Sequence, residues 1–191
     1  MKIYKYSDYD QYVKKQTEAN KKKIGWVYVK PKSIAKISNH FKKNCPNGKA
    51  DAIICHGTRN GAEQEMFKSH FPSAKIIGTE ISETATKFPM TVQHDFMESN
   101  DDWIGKFDIV YSNSFDHSIK PKSTLQVWKD QLTPFGIMYI EYSVSQSEST
   151  EYDPLDATNE EVIKMIEDTG FMVTTTAGKK RGHTIFMCIQ S

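Results

Sequence analysis

The chain has 191 residues and carries 25 lysines and arginines against 24 aspartates and glutamates, a formal net charge of +1. That balance argues against a polyanion-binding surface spread over the whole molecule. No apolar run approaches the roughly 20 residues that span a bilayer, and no cationic-then-apolar signal opens the chain, so cytoplasmic residence is the expectation. The three cysteines, Cys45, Cys55 and Cys188, are odd in number and form no Cys-x-x-Cys pair, which suggests neither a disulfide framework nor a zinc site. Cys55 and Cys188 lie in apolar runs and read as packed small hydrophobes. The length fits one unit over residues 1–191, with a helical cap over 1–48 and an α/β core over 49–191.

In chain order, Tyr9, Tyr12, Val13 and Gln16 follow helical spacing, and Lys21-Lys22-Lys23 closes that helix where positive charge suits the dipole. Trp26-Val27-Tyr28-Val29 is a short aromatic segment that Pro31 stops. Ser33 then reads as the cap of a second helix carrying Ile34, Ile37 and Phe41. From Ala50 the pattern is strand then helix, repeated. Strands are predicted at 51–55, 75–79, 91–94, 107–111 and 135–142, with helices near 61–70, 82–88, 97–103 and 121–131. Runs such as Phe107 to Tyr111 are short and continuous rather than alternating, which favours a parallel sheet covered on both faces. Ser143 to Asp153, rich in Ser, Thr and Glu, follows the fifth strand, where an active-site loop belongs.

The end of the chain differs. Thr158-Asn159-Glu160-Glu161 is a capping box opening a helix striped by Val162, Ile163 and Ile166, which Gly170 ends. Phe171 to Thr176 and His183 to Ile189 read as strands. The Ala177 to Gly182 connection is too short for a parallel crossover, so the pair must form an antiparallel hairpin.

The chemistry concentrates at one turn. The strand Ala52 to Cys55 breaks into His56-Gly57-Thr58-Arg59-Asn60-Gly61 and resumes as helix, forming a backbone cup against a helix N-terminus. About 20 residues on, Glu80 ends the next strand, at the spacing that lets a carboxylate accept hydrogen bonds from a ribose. Together these point to a nucleotide-like ligand with an adenosine half.

These residues resemble the class I S-adenosylmethionine-dependent methyltransferases. Gly57 and Gly61 match the outer glycines of that family's loop, and Arg59 stands where the middle one is usual. Glu80, followed by Ile81, matches the ribose-binding acid. Gln93-His94-Asp95-Phe96 resembles the segment whose Asp meets the adenine amino group and whose next residue packs on the ring. Phe107 to Ser114 resembles the fourth strand and the loop beneath the methyl donor. Leu132-Thr133-Pro134-Phe135-Gly136 resembles the turn into strand five, with Phe135 replacing a glycine.

The resemblance implies a Rossmann-like α/β fold: a seven-stranded, mostly parallel sheet of order 3-2-1-4-5-7-6 with the last strand antiparallel. It implies S-adenosyl-L-methionine as cofactor, held by His56, Gly57, Thr58, Arg59, Gly61, Glu80, Ile81, Asp95, Phe96, Asn113 and Ser114. Methyl transfer from a sulfonium needs alignment and exclusion of water more than a fixed triad. A hydroxyl acceptor benefits from a base, so Asp116, His117 and Tyr142 are the candidate catalytic residues. The expected acceptor is a small molecule such as a sugar or another hydroxylated metabolite, with no metal and no membrane partner. Trp26 and Tyr28 are placed to close over the site.

Three alternatives stay open. A nicotinamide-dependent oxidoreductase would share the strand, turn and acid, but Gly57-Thr58-Arg59 breaks its Gly-x-Gly fingerprint. A nucleic-acid methyltransferase draws some support from the N-terminal lysines and aromatics, but Asn113-Ser114-Phe115-Asp116 lacks the Pro-Pro-aromatic series of base-amino methylation. A cofactor-binding protein without catalysis fits the departures at Arg59 and Phe135.

Overall fold

The computed structural model describes residues 1–144, 148–177 and 183–190. The connection between the last two strands and the middle of the Ser143–Asp153 loop therefore lie outside the described residues.

The strands in chain order are β1 (Lys2–Ile3), β2 (Ala52–His56), β3 (Lys75–Glu80), β4 (Thr91–Gln93), β5 (Phe107–Ser112), β6 (Leu132–Ser143), β7 (Leu155–Asp156), β8 (Phe171–Ala177) and β9 (His183–Gln190). The α-helices are α1 (Tyr9–Lys22), α2 (Pro31–Asn44), α3 (Ala62–His70), α4 (Pro121–Asp130) and α5 (Asn159–Glu167). Seven strands form one sheet of order β4-β3-β2-β5-β6-β9-β8, and β1 pairs with β7 in a separate two-stranded ribbon. Counted within the large sheet alone, the order is 3-2-1-4-5-7-6. β4, β3, β2, β5 and β6 run parallel, and β9 lies antiparallel to both β6 and β8.

The continuous apolar strands are explained by their burial on both faces. In β2, Ile53 and Cys55 join one core cluster with Ile37, Phe41 and Phe67 from α2 and α3. Ile54 joins the opposite cluster with Leu125 and Trp128 of α4, Val162 and Ile166 of α5, and Tyr12 of α1. A parallel strand between two helical layers needs no polar face. Cys55 and Cys188 are fully buried in these clusters, as small hydrophobes should be.

Local chemistry sets the element boundaries. Thr158 and Glu161 form the expected reciprocal capping box, with Thr158 Oγ1 accepting from Glu161 N and Glu161 Oε2 from Thr158 N. Ser33 does not cap α2. That helix begins two residues earlier at Pro31, whose fixed φ and missing N–H suit the first turn, and the Lys30 carbonyl takes the Ser33 and Ile34 amides. The helices expected near 82–88 and 97–103 shrink to 3₁₀ turns at Glu83–Lys87 and Asp101–Trp103. Ser82 and Asn100 cap these turns, and the segments are too short to carry an apolar stripe. The β1–β7 ribbon was not expected, because two-residue strands leave no periodicity to read. It ties the N-terminus to the segment after β6.

Candidate active site

The parallel strands β2, β3 and β5 end side by side, and the site is built on those ends. The turn after β2 folds back on β3, since the Gly57 and Thr58 amides both donate to the Thr79 carbonyl at 2.9 and 3.0 Å. Gly57 sits at φ 71°, and a Cβ there would lie 2.6 Å from Ser114 Cβ. Only glycine fits this packing against the loop after β5. Arg59 adopts φ 41°, so the loop keeps a glycine-like turn with an arginine in it. Its side chain leaves the turn and places the guanidinium 5.0 Å from the Tyr28 ring centroid.

Glu80 is buried at the end of β3 and accepts two main-chain hydrogen bonds. Ser82 N donates to Oε1 at 3.0 Å and Arg59 N to Oε2 at 3.2 Å. Burial pushes the carboxyl above its usual range, and the Ser82 amide, His117 and Arg59 oppose that push. Asp95 follows β4. Its Oδ1 accepts from Met97 N at 2.8 Å and its Oδ2 from the Tyr9 hydroxyl at 2.5 Å. Burial raises this carboxyl too, against the Tyr9 and Met97 hydrogen bonds. Glu80, Ile81, Asp95 and Phe96 line one cavity together with Tyr12 and Gln16 of α1. That cavity holds about 50 Å³, room for only a few waters. Helix α1 fills the rest, pinned by Asn20 to Thr84 at 2.9 Å, by Gln16 to His117 at 2.8 Å and by an ion pair from Lys21 to Glu83.

A larger cavity of about 430 Å³ opens on the other side of Gly57. Its floor is the turn from Gly57 to Asn60 with Asn113 and Ser114 after β5, and Trp26 and Tyr28 stand at its rim, more than half and half exposed. Its wall is acidic. Glu63 is 6 % exposed and accepts from Asn113 Nδ2 at 3.2 Å, while its Oε2 has no partner. Burial pushes Glu63 up to about 7. Glu141 at the end of β6 accepts from the Tyr111 hydroxyl at 2.9 Å and from His183 Nε2 at 2.8 Å. Asp116 and His117 enter from the 3₁₀ turn Phe115–His117, and Asp153 faces them from before β7.

Most of the sequence-derived candidates line one or both cavities. Gly57, Arg59, Ser114 and His117 line both, Thr58, Asn113 and Asp116 line the larger one alone, and Glu80, Ile81, Asp95 and Phe96 line the smaller one alone. Three others have different work. The His56 ring stacks on Trp128 at 5.0 Å, with its nitrogens bonded to Thr79 Oγ1 and Gln131 Oε1. Burial pushes its imidazole down to about 3, so it is a neutral core residue rather than a ligand contact. Gly61, at φ 78°, is the N-cap of α3 and shapes the helix entry. Tyr142 is 2 % exposed. Its hydroxyl accepts from Ala157 N at 3.0 Å and donates to Ala157 O at 3.1 Å, so it ties β6 to the segment after β7 and does not reach the cavity. Glu63, Gln16 and Asn20 were missed. Each looks like an ordinary helix residue in sequence, and only tertiary packing turns it to the site.

No family model matches the chain, and no curated protein matches it. Solved structures do match its fold. The chain is similar to a 1,6-didemethyltoxoflavin-N1-methyltransferase from Burkholderia thailandensis with bound 1,6-didemethyltoxoflavin and S-adenosylhomocysteine. That match has a TM-score of 0.72 and 13% identity, covering 98% of this chain and 92% of that one. It is similar to the magnesium protoporphyrin IX methyltransferase ChlM from Synechocystis PCC 6803, with bound SAM, at TM-score 0.64 and 11% identity, covering 98% of this chain and 100% of that one. It is also similar to the [4+2]-cyclase SpnF at TM-score 0.64 and 10% identity, covering 81% and 80%. The chain therefore has the class I S-adenosylmethionine-dependent methyltransferase fold.

Proposed function

We propose that this chain is an S-adenosylmethionine-dependent methyltransferase acting on a small molecule such as a sugar or another hydroxylated metabolite. The observation that carries the reading is the buried Glu80 carboxylate, held by two main-chain amides at the carboxyl end of β3. Each oxygen keeps a lone pair for a neighbouring hydroxyl, the geometry a ribose diol needs. Fold similarity adds the precedent of two cofactor-bound methyltransferases. It does not decide the activity, because the same fold carries a cyclase.

The residues present fit the cofactor. The turn after β2 lines the ligand side from Gly57 to Asn60, which suits the amino-acid end. Glu80 suits the ribose, and Asp95 with Phe96 suits the adenine. The adenosine side holds only about 50 Å³, so a nucleoside enters there only if α1 gives way. In this reading Tyr9, now bonded to Asp95, yields that carboxylate to the base.

S-adenosylmethionine supplies an electrophilic methyl group on a sulfonium. The protein's part is to hold the acceptor in the cavity of about 430 Å³, to exclude bulk water with α1 and the Trp26–Tyr28 segment, and to take a proton. Gln16 Oε1 lies 2.8 Å from His117 Nδ1. Because the Gln16 amide nitrogen donates to the Tyr152 carbonyl at 3.2 Å, its oxygen faces the ring and Nδ1 carries the hydrogen. When the ring is neutral, Nε2 presents its lone pair to the cavity, next to Asp116. That lone pair is where an acceptor hydroxyl loses its proton.

Titration calorimetry with S-adenosylhomocysteine tests the reading. One site per chain is expected, with no fluorescence response from added NADH. NADH binding without S-adenosylhomocysteine binding would reverse the assignment.

A further inference from the structure

Three lone-pair donors converge in the acceptor cavity. Asp116 Oδ1 lies 3.9 Å and Asp153 Oδ1 3.8 Å from His117 Nε2, too far for hydrogen bonds. All three ligand atoms lie within 4.8 Å of one another. Among the described residues, no lysine or arginine comes within ion-pair distance of either aspartate. The hydrogen on His117 Nδ1 is fixed by Gln16, whose amide is itself oriented by the Tyr152 carbonyl. With Nδ1 turned to Gln16, the ring directs Nε2 toward both carboxylates and into the cavity.

We propose that Asp116, His117 and Asp153 form a binding site for a divalent first-row cation. This deepens the methyltransferase reading and rests on it for the site's purpose. The donor set is one imidazole and two carboxylates, which suits Mn²⁺, Fe²⁺ or Zn²⁺ rather than Ca²⁺. Ligand bonds of about 2.0–2.2 Å place donor pairs up to about 4.4 Å apart, so the 3.8 and 3.9 Å pairs are in range. The third closes with a small swing of Asp153, whose side chain is 53% exposed.

The support around the donors is of the kind that metal sites use. His117 donates its other ring N–H to a fixed oxygen, which sets the ring's orientation and tautomer. The 3₁₀ turn Phe115–His117 sets the Asp116 and His117 backbones, and its end is tied by Ser118 N to Phe115 O at 3.0 Å. The Asp153 backbone is fixed by its amide to Thr150 Oγ1 at 3.0 Å and by its carbonyl to Thr150 N at 3.0 Å. Three protein ligands leave coordination positions open to the cavity. A cation there would orient an oxygen-bearing acceptor and favour its deprotonated form, and His117 would then serve as a ligand in place of acting directly as the base.

The test uses Mn²⁺ as the probe on the full chain, followed by electron paramagnetic resonance with and without S-adenosylhomocysteine. One Mn²⁺ per chain is expected, with ¹⁴N coupling from an imidazole that disappears in His117→Gln. Asp153→Asn, at an exposed position that leaves folding intact, weakens binding at least about 10-fold. Asp101→Asn, distant and exposed, leaves it unchanged. Absence of Mn²⁺ binding, or binding without ¹⁴N coupling and indifferent to Asp153→Asn, overturns the site. S-adenosylhomocysteine titrated into the same sample separates the two readings. If it binds while Mn²⁺ does not, only the cation site falls.

Discussion

The main-chain N–H of Arg59 donates to Glu80 Oε2 at 3.2 Å, joining the loop after β2 to the end of β3 across 21 residues of sequence. One contact therefore sets both the direction of a carboxylate and the curvature of the loop that faces the same ligand. Arg59 sits at φ 41°, a conformation that costs a non-glycine residue on the order of 1 kcal/mol. Arg59→Gly should remove that cost and the Tyr28 contact together. Cofactor affinity is expected to change less than about 3-fold, because the amide survives the substitution. Calorimetry on the variant checks this. A loss of 100-fold or so would mean that the guanidinium itself holds the ligand.

Glu63 gives a pH signature. Its folded-state value is raised from 4.5 to about 7 by burial, so between those values the folded protein binds more protons than the unfolded chain. Stability therefore falls as pH rises through that window. Glu63→Gln should abolish the fall and stabilise the protein above pH 7 by on the order of 2 kcal/mol, with little effect at pH 4. Thermal melts of both proteins across that range read the difference directly. Parallel curves would show that Glu63 is ionised at no cost.

His183 should show a dependence from the opposite kind of group. Its bond to the buried Glu141 carboxylate raises its folded-state value above the ordinary 6.5, against a smaller lowering by burial. The stability it contributes is fully present below about pH 6.5 and is lost as pH rises through the raised value. His183→Asn should flatten that part of the profile. An NMR titration of the imidazole that finds it at or below the ordinary value would contradict the assignment.

Tyr142→Phe separates structure from catalysis. The hydroxyl bonds both polar atoms of the Ala157 backbone, and its loss leaves that buried amide without its partner. The expected cost is about 1–3 kcal/mol of stability, with kcat unchanged once a substrate is in hand. A large fall in kcat in a stable variant would restore Tyr142 to the active site.

Much of this architecture is legible in the residues, because strand burial and helix capping are local. Ala52 to Cys55 and Phe107 to Tyr111 read as two-sided strands, and the short link after Phe171 to Thr176 forces the antiparallel ending. Glu80 and Gly57 are readable because a turn and an acid at fixed spacing leave a local trace. The misses have a common cause. His56 and Tyr142 end strands beside the site, but whether such a side chain points to ligand or core depends on register and on partners such as Trp128 and Ala157 that lie far away in sequence. Glu63, Gln16 and Asn20 acquire their roles only from the packing of α1 and α3. The convergence of Asp153 with Asp116 and His117 is invisible in the chain because a 36-residue separation carries no spacing rule.

The most direct test of the account is S-adenosylhomocysteine affinity in the wild type and in Glu80→Ala, with circular dichroism to show that both are folded. Loss of two hydrogen bonds to a charged group should weaken binding by about 100-fold or more. Equal affinity in the two proteins would mean that Glu80 holds no ribose and that this cleft is not where a nucleoside binds.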